Sequence, residues 1–214
     1  MEPSIDFEAN KRYFRGPGCA IVLAVLLALI GVFTLSSSWA AALVLIGSAA
    51  IAGVVHFKLR SNDPSSVDAS LESVASKARA TAEARFGVLQ HHAAPLEVVG
   101  FTRTRTTTGP LVQLKEQGGR MRTNWVGGFI AHFSAKQVHI FTTETCITTP
   151  MQTEKTVEFF YEDVVSLSTE SDQHGTRLSL TVKDGSRYDA PIADEAAVDR
   201  ELAAARDLIR QRRA

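Results

Sequence analysis

The sequence predicts an α+β protein: an N-terminal transmembrane helical hairpin, an amphipathic linker helix, and a strongly bent β-sheet capped by a C-terminal helix. Three patterns predict it. No Lys, Arg, Asp or Glu occurs from Gly16 to Phe57, although the 214-residue chain carries 23 basic and 23 acidic residues. Apolar residues then recur at steps of three or four from Val67 to Leu89, the spacing of one helix face. From Leu96 the period shortens to that of strands, and near the C-terminus it lengthens again. The expected division is a cytoplasmic N-terminal tail (1–15), a transmembrane hairpin (16–60), a linker helix (61–94) and a cytoplasmic β-domain (95–214).

The charge-free region divides into Gly18–Leu35 and Trp39–Phe57, separated by Ser36–Ser38. Each run is close to the roughly 20 residues that span about 30 Å of hydrocarbon. A cleaved signal peptide fits poorly, because a second apolar run succeeds the first at once and no small-residue cleavage site separates them. Lys11, Arg12 and Arg15 precede the first run, Lys58 and Arg60 come after the second, and the intervening turn has no positive charge. The positive-inside rule then places both termini in the cytoplasm and the chain in an inner membrane, with Tyr13, Phe14 and Trp39 as interfacial rings. Neither run holds an ionisable residue at its centre, which argues against an ion or proton path. Cys19 and Cys146 fall in different parts of the chain and imply no disulfide framework.

Asn62-Asp63-Pro64 reads as a helix start, with Asp63 as the N-cap. The helix is expected from about Ser65 to Gln90, with Val67, Leu71, Val74, Ala78, Ala82, Phe86 and Leu89 on its apolar face. It is expected to dock on the domain that comes after it or to lie along the bilayer, with self-association as the alternative.

The strand-like stretches are LEVVGFTRT, WVGGFIAHFS, QVHIFTTETCIT, VEFFYEDVVSLSTE and RLSLTVKDGSRYDAPI. Asp184-Gly185 marks a two-residue hairpin turn. Val198, Leu202, Ala205 and Ile209 form the stripe of the last helix, with Arg206, Arg210, Arg212 and Arg213 in its later turns, where cations complement the dipole. Glu162 and Asp163 are adjacent on a strand-like stretch, so their side chains diverge and do not face each other as a catalytic pair would. They read as a bend between strands, with Tyr161 and Val164 turned inward.

Several strands succeeded by one amphipathic helix, with FSAKQVHIFTTETCITT, FFYEDVVSLS and LSLTVKDGSRYDAPI in that order, resemble the pleckstrin-homology-like superfamily, particularly its GRAM and bacterial PH-like branches. The combination also resembles uncharacterised bacterial membrane proteins that place such a domain after a short membrane hairpin. The resemblance covers about Leu96 to Arg213 and implies a PH-like fold that binds and does not react. Lys115, Arg120 and Arg122 are similar to the Lys then Arg-x-Arg arrangement with which some PH domains grip phosphorylated inositol lipids. Arg103 and Arg105 are candidates to join them around an anionic lipid or other ligand.

No catalytic residue, metal site or cofactor is expected. His91, His92, His132, His139 and Cys146 show no zinc-ligand spacing, and no glycine-rich phosphate loop opens a helix. From Ser61 onward 18 basic residues face 20 acidic ones, which excludes a nucleic-acid binder that works by net charge. The expectation is a non-enzymatic adaptor or assembly protein whose partners are the bilayer and either a protein partner or a second copy. The alternatives are an anionic-lipid sensor and an accessory subunit of a larger membrane complex. Sheet edges and the groove beside the C-terminal helix are the expected places for a partner segment.

Overall fold

The computed structural model describes residues 4–15, 19–34, 38–59, 63–87, 93–103, 109–172, 175–192 and 195–213. It forms two units. One is Glu8–Ser66; the other is Val67–Ala214 with the N-terminal Met1–Phe7.

In the first unit, a short helix α1 (Phe7–Phe14) precedes α2 (Cys19–Thr34) and α3 (Trp39–Leu59), which pack on each other as a hairpin. Close approach depends on Gly31, where a Cβ would lie 3.0 Å from Ile46 Cγ1 and 3.2 Å from the Ala42 carbonyl oxygen. Among the described residues no helix is long and apolar enough to cross a membrane. This overturns the expected transmembrane hairpin, and with it the multi-pass inner-membrane placement. The physical reason begins with length: the 16 residues of α2 rise about 24 Å, short of about 30 Å of hydrocarbon. The expected ring anchors also differ among themselves, since Trp39 is exposed whereas Tyr13 is fully buried.

The second unit is built in three layers. Its first layer is α4 (Ser65–Phe86), whose start is fixed by Asp63 accepting from the Ser65 N–H at 3.0 Å and from the Ser65 hydroxyl at 2.8 Å. Those bonds hold the Asp63 carboxyl below the usual carboxylate range. The helix ends at Gly87, whose N–H donates to the Glu83 carbonyl at 2.6 Å and where a Cβ would collide with that same oxygen. The expected extension to Gln90, with Leu89, falls outside the described residues. The face that α4 buries is Val67, Ser70, Ser73, Val74, Ala78, Ala82 and Phe86, so Leu71 gives way to small serines.

The middle layer is an antiparallel sheet in the order β1 (Leu96–Phe101), β4 (Trp125–Phe133), β5 (Gln137–Cys146), β6 (Met151–Phe160). Strand alternation turns Phe129, Ala131, Phe133, Val138 and Ile140 to one face and Ile130 and Phe141 to the other. That second face receives Ala78, Ala82 and Phe86 of α4, which is why β4 is buried along its whole length. Gly128 leaves room for its cross-strand neighbour: a Cβ there would lie 3.0 Å from Thr143 Cγ2.

The third layer is a sheet of β7 (Val164–Asp172), β8 (Gly175–Val182) and β9 (Arg187–Pro191), closed by α5 (Glu195–Arg213). Val164, Leu167, Leu178, Leu180 and Val182 meet Val198, Leu202, Ala205 and Ile209 over the inner face of the first sheet. The β8–β9 connection is a four-residue loop, Lys183–Ser186, with Gly185 at φ 85° and the Asp184 carboxylate accepting from the Ser186 N–H. It is two residues longer than the two-residue turn that Asp-Gly suggests. A small hairpin, β2 (Leu114–Gln117) and β3 (Arg120–Thr123), is inserted between β1 and β4. Gly118 and Gly119 both take positive φ there, as a type I′ turn requires.

Candidate functional site

The basic residues selected from the sequence that the structure describes are Lys115, Arg120, Arg122 and Arg103. Lys115 and Arg122 are opposite each other in the β2–β3 register, but Arg122 turns inward. Its guanidinium grips both oxygens of Asp68 on α4, at 2.7 and 2.8 Å, and also reaches the Gln117 carbonyl. Arg122 is a tie between the hairpin and α4. Arg120 is exposed at the hairpin tip, Arg103 lies in the bend after β1, and Arg105 falls outside the described residues.

Glu162 and Asp163 form a single 3-10 turn, Tyr161–Asp163, between β6 and β7. Asp163 lies 3.7 Å from the Lys183 ammonium and its carbonyl accepts from the Lys183 N–H, which fixes the bend. Tyr161 is buried and donates to the Ser134 carbonyl at 2.7 Å. Burial pushes its phenol above the ordinary value, partly opposed by the nearby Arg212.

Two clefts remain. One, of about 230 Å³, lies between the sheets, where β9 faces β4, β5 and β6. Its charged groups are engaged locally: Arg187 binds Glu170 at 2.6 Å and Asp189 at 2.7 Å, and the Lys155 ammonium lies 4.8 Å from the Tyr188 ring centroid. The Arg187 bonds raise its own pKa and hold Glu170 below the usual range.

The second groove, also about 230 Å³, runs between β7 and α5. Its floor is Val164, Ser166, Leu167 and Ile209, and its wall is Arg206, Arg210 and Arg213. These arginines are four and three residues apart, so they share one helix face. β7 is an edge strand, paired only to β8, and its register slips at Val165 in a bulge. On its open side the Leu167 carbonyl accepts from Arg206 Nε at 2.8 Å, and the Val165 carbonyl from Arg213 at 3.4 Å. The arginines therefore stand where a neighbouring strand would place its N–H groups. In the sequence Arg206, Arg210 and Arg213 read only as complements to the helix dipole; their spacing around Ile209 is the signal for a second role.

The other long edge, β6, is differently equipped. It is exposed along most of its length and carries Glu154, Lys155 and Glu158. A symmetric antiparallel pairing with a second copy would set Lys155 against Lys155, or Glu154 against Glu158, so these charges discourage strand addition between copies.

Among the described residues no group of three or more His, Cys, Asp or Glu side chains could hold a metal ion. Comparison of the chain with known protein families, with curated proteins and with solved structures gives no match.

Proposed function

We propose that the β-domain is a non-enzymatic adaptor that captures an extended, acidic segment of a protein partner as an added strand on β7. The observation that carries this reading is the pair of edge carbonyls, Val165 and Leu167, capped by Arg213 and Arg206 in a groove floored mainly by Val164, Leu167 and Ile209. An incoming strand supplies backbone N–H groups to those carbonyls, and the displaced arginines turn to its carboxylates. Charge complementarity favours an acidic partner, because Arg206, Arg210 and Arg213 line one wall.

Fluorescence anisotropy of the full chain against labelled acidic and basic peptides of equal length tests this. Acidic peptides are expected to bind, and R206A/R213A is expected to weaken them by about 10-fold or more, equivalent to about 1.4 kcal/mol. Equal binding of acidic and basic peptides, or no effect of the double substitution, contradicts it.

A second reading concerns assembly and rests on the first unit. Leu26, Leu29, Ile30, Phe33, Leu43, Val44 and Ile51 are all half or more exposed on α2 and α3. A surface of this kind on a two-helix hairpin calls for a cover. Hairpins of two or more copies supply one, with apolar faces packed together. Analytical ultracentrifugation of the full chain is expected to show an oligomer that L29E/V44E reduces to monomer; a monomeric wild-type chain refutes this.

A further inference from the structure

The two faces of the third-layer sheet differ in chemistry at the β7 edge, and a strand added there would present a different set of side chains to each. Val165 and Leu167, two residues apart, turn their carbonyls to the open edge, where Arg213 and Arg206 donate to them. The Leu167 side chain belongs to the core beneath α5. By strand alternation Ser168 and Glu170 point to the opposite, outer face. The arginines of that outer face, Arg177 and Arg187, are already paired with Glu170 at 3.4 and 2.6 Å. A strand laid along the edge alternates in the same way: every second side chain faces α5, and those between face the outer surface.

On the α5 side the arginines are differently engaged. The bonds of Arg206 and Arg213 end on neutral carbonyls. Arg210 meets Asp207, its neighbour on the helix, at 3.3 Å in a pair that is mostly exposed, and such pairs are weak. A carboxylate arriving on a strand therefore finds guanidinium groups able to form charge-assisted hydrogen bonds. Arg206 and Arg210 lie about 6 Å apart along the helix axis, and the row from Arg206 to Arg213 spans about 10.5 Å. Residues i and i+2 of a strand lie about 6.8 Å apart on one face. Carboxylates at alternate positions keep step with this row. Consecutive carboxylates turn every other charge to the outer face, where Glu170 already holds the arginines.

Given capture of a strand on β7, we propose that the groove selects its partner by the spacing of acids: Asp or Glu at every second position, on the face toward α5, and not acidity as such. Arg206 and Arg213 exchange the edge carbonyls for these carboxylates, while the carbonyls take the backbone N–H groups of the added strand. Arg210 adds a third position to the row.

Fluorescence anisotropy of the full chain with two labelled peptides of about eight residues tests this. Each peptide holds three glutamates in a threonine background, so composition and net charge are equal and both favour strands. In one the glutamates alternate with threonine; in the other they are consecutive. The alternating peptide is expected to bind about 10-fold tighter. R210A is expected to cut that preference to about 3-fold or less by weakening the alternating peptide, with the consecutive one little changed. Equal affinities, tighter binding of the consecutive peptide, or a preference that R210A leaves intact overturns the spacing rule while capture of an acidic strand still stands. Binding of neither peptide overturns both.

Discussion

At the scale of single residues, two side chains decide more than their positions in the sequence suggest. Arg122 is 5% exposed overall, and its charge is balanced by Asp68 at one end and the Gln117 carbonyl at the other. Removing the carboxylate leaves a buried cation, whereas removing the cation leaves a carboxylate that water already reaches. D68A is therefore expected to destabilise the protein by about 1–3 kcal/mol and R122M by less, measured by urea denaturation. Tyr161 provides the pH test. Its folded pKa is raised, so the stability tied to its protonated form is complete below about pH 10 and lost as pH rises through the folded value. Relative to wild type, Y161F is expected to lose the Ser134 hydrogen bond at neutral pH, about 1 kcal/mol, and to show a flatter alkaline decline in thermal stability. An identical alkaline decline in both proteins contradicts the assignment.

At the scale of elements, legibility in the sequence depends on how much of each element is buried. The strands β1, β4, β5 and β8 have an inward face of branched or aromatic residues, and their alternation marks them plainly. The Met151–Thr156 half of β6 is not legible, because an exposed edge strand has no apolar face to alternate. The β2–β3 hairpin is hidden for the same reason: LKEQ and RMRT are mostly polar, and the sequence shows only the two glycines of the turn. The groove cannot be read directly either. It requires that β7 be an edge and that α5 lie beside it, which are properties of topology and not of local pattern. Conversely, Asp63 and the spacing from Val67 to Phe86 are enough to place α4.

At the scale of the whole molecule, the run from Gly16 to Phe57 is free of charge, yet no helix among the described residues is long and apolar enough to cross a membrane. Such a run reports that a segment avoids charge, whereas crossing also demands helices long enough to clear the hydrocarbon, and α2 is too short. The second unit is a three-layer domain in which the helix expected to be a linker forms an outer layer, tied by Asp68–Arg122, Arg79–Glu97 and Arg85–Glu154. This arrangement leaves one face of the first sheet closed and the β7–α5 groove open, so the groove is where an added strand fits. The most direct measurement is a two-dimensional amide NMR titration of the chain with an unlabelled acidic peptide of about eight to ten residues, the length of a long strand. Saturable shifts confined to Val164–Thr169 of β7 and Arg206–Arg213 of α5 are the expected result. Shifts along β6 or the β2–β3 hairpin instead, or none at all, would contradict capture of a partner strand in this groove.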